Sequence, residues 1–382
     1  MLWLFRIHRP RFSIQSGAEL LSFSPYDRHL MIATSTPDNI TAAARILRSG
    51  GLVAFPTETV YGLGANALDP EAVQRIFTVK GRPQYNPLIV HLHSLEQFTG
   101  VIDLSTSRGI IQSRWIESLA PLWPGPLSVV LPRGKKIPAV VCGGGDAVAI
   151  RIPNHPVALA LLREVGVPIA APSANRSNYV SPTCAEHVEQ ELGSEIGLIL
   201  DGGQCAIGVE STVVSLLDSQ PVILRPGAIS QHDLEDLLGC HVSRPSQLIA
   251  DERSGACISP GMLEAHYAPH TRLILRGAIP EDEYPQRVGL ICFSSSALAE
   301  DGTEYAAVNT LSLTGDLSEI ASGLYTAIRA QDASELELIV IDPRGAEDLL
   351  NSDGITFKTS QSGLAHAIVD RIIRATAKSH HS

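Results

Sequence analysis

The chain has six cysteines in 382 residues, at positions 142, 184, 205, 240, 257 and 292, and no two of them form a C-x-x-C pair. That spacing speaks against a structural zinc site and against a disulfide framework, so a reducing, cytoplasmic setting is expected. Charge is sparse and acidic: 18% of residues are charged and the formal net charge is −11. A broad electrostatic hold on nucleic acid is therefore disfavoured, and any anion has to be met by a local basic pocket. Aromatic residues make up only 5% of the chain, which leaves no stacking platform for single strands. No apolar run reaches the length needed to span a bilayer. There is no G-x-x-x-x-G-K-[ST] segment, so a bound triphosphate would not lie in a P-loop. G-x-S-x-G and H-E-x-x-H are also absent, which removes the common hydrolase readings. The glycine-rich stretch at 143–146 lacks the downstream spacing of a dinucleotide fingerprint and reads as a loop. His91 and His93 form an H-x-H without a third ligand, so no protein-held metal is expected.

Apolar residues, at 44%, are enough for large cores, and the length favours two domains. Residues 1–30 carry arginines and serines without the continuous apolar core of a secretory signal. They are expected to be a disordered extension, with Met31 as the functional start and a transit peptide as the alternative. The segment Gly50–Pro87 is the densest in signals. An apolar strand stops at Pro56, and Thr57, Glu58 and Thr59 follow at the strand end, where α/β proteins meet ligands. Asp69 and Pro70 start a capped helix that Gly81 ends, with Lys80 and Arg82 flanking the glycine. Those two cations suit an oxyanion, although cations at a helix C-terminus also complement the macrodipole.

Helices and strands alternate from Thr36 onward. Thr36-Pro37 caps a helix stopped at Gly50, 88–92 is a strand, 156–165 is a helix, and Thr183 with Glu186 reads as a capping box. Segments 211–216 and 222–224 form a hairpin, so the sheet is mixed. A turn centred near Asp218-Ser219 brings Ser211 and Arg225 to the same open end. Arg151 interrupts the apolar strand AVAIRIP and needs a carboxylate partner, either internal or from a ligand.

The segments PTETVYGLG, KGRPQYNPLIVH, PLWPGPLSVVLP, AIRIPNHP, APSANRSNYVSPT, GVESTVVSL and LRPG occur in that order, followed by SPGMLEAHYAP. From Thr36 to the C-terminus the chain resembles the YrdC-like family in its longer, two-domain L-threonylcarbamoyladenylate synthase form. The resemblance implies an α/β fold: a YrdC-like mixed twisted sheet with flanking helices at 31–242, a linker at 243–271, and a smaller Rossmann-like domain at 272–382. It also implies a nucleotidyltransferase that converts ATP, L-threonine and bicarbonate to L-threonylcarbamoyl-AMP and pyrophosphate. That is the first step toward N6-threonylcarbamoyladenosine in tRNA, and the adenylate would pass to a downstream tRNA threonylcarbamoyl-transfer machinery.

By the same resemblance the threonine pocket falls on Thr59, His91, Arg151, the backbone of Ala171, and Ser211. ATP-binding positions fall on Arg82, Asn86, the backbone of Val148, Ser173, Ser181, Arg225 and Tyr267. Lys80, Arg82 and Arg225 are the electrostatic candidates, with Mg2+ on the triphosphate. Asn175 is a further contact, and Glu58 stands where either a general base or a structural carboxylate would. The linker is expected to fold over the cleft, with Tyr267 touching nucleotide or substrate. Two alternatives stay open: an RNA-binding module with weak tRNA contact, and a carbamoyltransferase of the same domain family. The latter would carry an acylphosphatase domain and cysteine-rich zinc modules, which this sequence lacks.

Overall fold

The computed structural model describes residues 32–244, 267–299, 304–350, 357 and 362–377. The expected extension at 1–30 and most of the linker, including His266, lie outside the described residues.

The first part of the chain lays down β1 (Ile32–Thr34), α1 (Pro37–Arg48), β2 (Val53–Phe55), β3 (Gly62–Asn66), α2 (Pro70–Lys80) and β4 (Ile89–His91). Next come α3 (Gly109–Leu119), β5 (Leu127–Pro132), β6 (Ala147–Arg151), α4 (Pro156–Val165), β7 (Ile169–Ala170) and α5 (Ala185–Leu192). β8 (Leu198–Asp201), β9 (Thr212–Ser215), β10 (Val222–Arg225) and α6 (Gln231–Leu238) complete it. Among the described residues the strands join in one ten-stranded sheet of order β1-β8-β2-β3-β7-β4-β6-β5-β9-β10. Pairings of both senses occur: β1, β2 and β8 are parallel, whereas β3 runs antiparallel to both β2 and β7. α1 and α4 bury Ala43, Leu47, Leu161 and Val165 against one face, and α2, α3, α5 and α6 cover the other.

Local chemistry explains the helix that matters most for the site. Asp69 caps α2 by accepting the Glu71 and Ala72 amides, Pro70 supplies a preset φ, and Gly81 closes the helix at φ 62°. The turn that follows presents Arg82 next to β4. α5 departs from the expected capping box. Its N-cap is Cys184, without a side-chain cap bond, because the Thr183 hydroxyl is drawn to Thr326 and His187 instead.

β3 was not anticipated from YGLGAN. Glycine is a weak strand former, yet Gly64 is needed there: a Cβ would lie 2.9 Å from the Phe55 ring and 3.0 Å from Ile169. Phe55 fills the space a side chain would occupy, and the strand is held by neighbours on both edges.

The second unit is a parallel four-stranded sheet of order β11-β14-β12-β13, from β11 (Arg272–Leu275), β12 (Val288–Cys292), β13 (Ala307–Thr310) and β14 (Leu338–Asp342). Short α7 (Ser296–Ala299), long α8 (Leu317–Asp332) and the closing α9 (Gly363–Ala377) accompany it. α8 and α9 pack on the sheet through Ile320, Leu324, Ile328, Ile368 and Ile372, and that core also takes in Val60, Val180, Val209 and Tyr267. Apolar packing thus continues from the second sheet to the rim of the first. No helix among the described residues is long and apolar enough to cross a membrane.

Candidate active site

Four loops at strand ends converge on one pocket beneath this rim. Its lining includes Thr59, His91, Arg151, Ala171 and Ser211, which are all five positions expected to hold threonine. Arg82, Ser173, Arg225 and Tyr267, from the expected nucleotide set, line the same space.

Pairing of β4 with β6 places His91 opposite Arg151, so the two basic side chains leave neighbouring strands together. Arg151 is 4% exposed, which makes its partners decisive. Its Nε donates to Gly125 O at 3.3 Å and its Nη1 to Thr59 Oγ1 at 3.0 Å. Nη2 lies 2.7 Å from Glu58 Oε1, close as an ion pair but off the hydrogen-bonding axis. The internal alternative for the partner of Arg151 is therefore realised, and Glu58 stands behind the guanidinium rather than on the pocket lining.

His91 is buried, and that burial, reinforced by the Arg151 charge, presses its pKa down to about 3. At neutral pH it is uncharged. Its Nδ1 lies 3.2 Å from Ile89 O, and a carbonyl can only accept, so Nδ1 carries the proton and Nε2 is the acceptor. The Thr57 and Thr59 hydroxyls bond each other at 2.9 Å, and Thr57 Oγ1 also donates to Val60 O, which fixes the loop.

The β9–β10 hairpin delivers the other anion-binding pair. Val222 faces Ser215 and Ile223 faces Val214, then a bulge shifts Arg225 opposite Val213. Arg225 Nε donates to Ser211 O and its Nη2 to Ser211 Oγ, each at 3.1 Å. The Ser211 hydroxyl is also 2.8 Å from Ser128 Oγ on β5, a neighbour that sequence reasoning did not single out.

Arg82 is clamped by Asn86, through O at 3.0 Å and Oδ1 at 2.6 Å, and by Pro87 O at 2.8 Å. The Asn86 Nδ2 is buried without a protein partner, a donor still to be satisfied. Lys80 is placed differently from the expected phosphate contact. Its Nζ donates to the carbonyls of Ser173 and Asn175, and it does not line the pocket. Burial, helped by Arg82, lowers its pKa. Asn175 spends its Nδ2 on Arg176 O and Tyr179 O, bracing the same turn. Ser181 donates to Glu210 at 2.6 Å, and Val148 sits in the strand interior; neither lines the pocket.

Glu210, Tyr325 and Arg371 were missed. Glu210 lines the pocket, and Arg371 of α9 donates from Nε to its Oε2 at 2.6 Å, while Tyr325 of α8 lies 3.1 Å from the same oxygen. Arg371 stood in the sequence as a charge beside Ile368 and Ile372 on an apolar helix face, the same signal that exposed Arg151. Tyr267 is 1% exposed, with its ring stacked on Tyr325 at 5.8 Å and the Arg371 guanidinium 5.0 Å from its centroid. Among the described residues no group of three or more His, Cys, Asp or Glu side chains is placed to hold a metal ion.

Comparison with known proteins bears on this arrangement. Residues 45–227 match the family Sua5_yciO_yrdC, described as "Telomere recombination". Residues 229–377 match the family described as "Threonylcarbamoyl-AMP synthase, C-terminal domain". A threonylcarbamoyl-AMP synthase of Bacillus subtilis is 41% identical over 322 residues, covering 81% of this chain and 89% of that protein. The chain belongs to the two-domain threonylcarbamoyl-AMP synthase family. A second family member, from Pyrococcus abyssi, is 37% identical over 88% of this chain and 94% of its own length. The crystal structure of P. abyssi Sua5 complexed with L-threonine superimposes with a TM-score of 0.72 at 35% identity, covering 89% of this chain and 94% of that one. At 89% coverage the match takes in both the large mixed sheet and the smaller parallel sheet of this chain.

Proposed function

We propose that this protein is an L-threonylcarbamoyladenylate synthase, a nucleotidyltransferase that makes L-threonylcarbamoyl-AMP and pyrophosphate from ATP, L-threonine and bicarbonate. The observation that carries the reading is the shared pocket: the side chains suited to an amino acid and those suited to phosphates line one space without a P-loop.

Each group has a matching task. A threonine carboxylate is received by Arg151, whose planar fork is already aimed by Thr59 and Gly125 O. The uncharged His91 offers Nε2 as an acceptor for the threonine ammonium or hydroxyl. The substrate amine loses a proton and condenses with bicarbonate, forming a C–N bond as water leaves, to give a carbamate. Its oxygen attacks the α-phosphate in line as pyrophosphate leaves. Negative charge then grows on phosphate oxygens, where Arg82, fixed beforehand by Asn86, and Arg225, fixed by Ser211, stabilise it without reorganising. Asn86 Nδ2 is a further donor for the nucleotide side. Lys80 acts by holding the Ser173–Asn175 turn. Magnesium would enter with the substrate as MgATP; Glu210, a carboxylate on the pocket wall, is committed to Arg371.

The reaction is placed in the cytoplasm, as the first step of N6-threonylcarbamoyladenosine formation in tRNA, with the adenylate handed to a separate transfer machinery. Pyrophosphate release from ATP, with threonine or bicarbonate omitted in turn, tests the reading. Strict dependence on both supports it, and release indifferent to threonine points to another acceptor.

A further inference from the structure

Glu210 is a carboxylate in a pocket arranged for anions. Burial pushes its carboxyl up, yet Arg371, Arg225 and the Ser181 hydroxyl outweigh burial and bring the pKa down to about 2, so it is ionised at neutral pH. A fixed negative charge beside Arg225 opposes incoming phosphates and competes for that arginine. Three positions expected on the nucleotide side touch it or lie beside it: Ser181 by hydrogen bond, and Arg225 and Tyr267 on the same pocket wall.

The counter-charge comes from the other domain. Arg371 is 1% exposed; it donates to Glu210 through Nε and to Pro226 O through Nη2 at 3.0 Å, its Nη1 contacts Asp370, and its plane covers the Tyr267 ring. Pro226 follows Arg225 directly, so one guanidinium ties the hairpin end, the pocket carboxylate and the linker residue Tyr267 to α9.

We propose that Arg371 is a positioning residue of the first domain's pocket: it neutralises Glu210 and braces Tyr267, leaving Arg225 fit to receive nucleotide phosphates, so that the second domain completes the ATP site. This rests on the reading of the pocket as the site for ATP. In that role α9 acts on nucleotide affinity and not on the threonine side, where Thr59, His91 and Arg151 are held by the first domain alone.

The test uses the full chain with Arg371→Met, Arg371→Lys, Glu210→Gln and the double variant Glu210→Gln/Arg371→Met. Dissociation constants for a non-hydrolysable ATP analogue and for L-threonine are measured by calorimetry, with thermal melts alongside. ATP affinity in Arg371→Met is expected to fall about tenfold or more, because an unpaired buried carboxylate is left facing the phosphates. Threonine affinity should stay within about threefold. Removing the orphaned charge in the double variant should bring ATP affinity back to within about threefold of the unaltered chain, and Arg371→Lys, which keeps the charge, should do the same. Unchanged ATP affinity in Arg371→Met, or a double variant no tighter than that single one, overturns the inference. If Arg371→Met does not fold, Arg371→Gln, which also removes the charge but keeps a hydrogen-bond donor, is measured in its place and compared with Glu210→Gln/Arg371→Gln against the same two outcomes. An unaltered chain that fails to bind ATP overturns the pocket reading itself, whereas an inert Arg371 series overturns only the role of α9.

Discussion

The Arg151 guanidinium lies 2.7 Å from the Glu58 carboxylate, with both side chains buried at the edge of the pocket. The arginine is thus paired and aimed before any substrate arrives, and an amino-acid carboxylate joins an arginine already in place. Geometry and not charge alone is at stake, because lysine cannot reproduce the fork. Arg151→Lys should raise the KM for threonine by about tenfold or more and leave the KM for ATP within about twofold. Steady-state pyrophosphate release at varied threonine and varied ATP separates the two, and an equal rise in both constants would contradict the assignment.

His91 predicts a pH dependence of stability. Its pKa is lowered from 6.5 to about 3 in the folded chain, so between those values the unfolded state binds a proton that the native state refuses. Stability falls as pH drops from 6.5 toward 3, by up to about 1.4 kcal/mol per pH unit for this one proton. His155 and His187 are also lowered and add slopes of their own. Urea denaturation of the unaltered chain and His91→Asn between pH 7 and pH 5 should give curves that diverge, with the variant less pH-sensitive. Parallel curves would mean that His91 titrates normally.

Lys80 is expected to matter for the shape of the site and not for its charge. Its ammonium satisfies the carbonyls of Ser173 and Asn175, and Lys80→Met would leave both buried acceptors unpaired, at a cost of about 2–4 kcal/mol. A lowered melting temperature with loss of affinity for both substrates is the expected result. A fully stable variant with a collapsed kcat alone would return Lys80 to the phosphates.

Tyr267 closes the pocket with its ring packed between Tyr325 and Arg371. Tyr267→Phe keeps that packing and removes only the hydroxyl, so it should raise the KM for ATP by roughly threefold to tenfold with little change in melting temperature. Tyr267→Ala should lower the melting temperature as well. Unchanged nucleotide affinity in Tyr267→Phe would place the hydroxyl outside the nucleotide's reach.

Local rules carried the elements that local chemistry decides. The Asp69-Pro70 start and Gly81 stop of α2, the helix at 156–165 and the β9–β10 pairing were legible because caps, glycines and a short turn act within a few residues. β3 was not, since Gly62–Asn66 is a strand only through β2 and β7 on its edges. The cap of α5 shifted for a similar reason: Thr183 is claimed by Thr326, a residue 143 positions away. Within the site, the convergence of Thr59, His91, Arg151 and Ser211 could be anticipated from polar residues at strand ends and from the resemblance. Glu210 and Arg371 could not be paired, because the contact spans 161 residues and two domains.

A crystal structure with L-threonine and a non-hydrolysable ATP analogue bound together decides whether one pocket serves both substrates. The threonine carboxylate should lie on Arg151, the threonine amine beside His91, and the α-phosphate next to Arg225 in the same pocket. Nucleotide density on a separate surface, with Arg82 and Arg225 untouched, would contradict that placement.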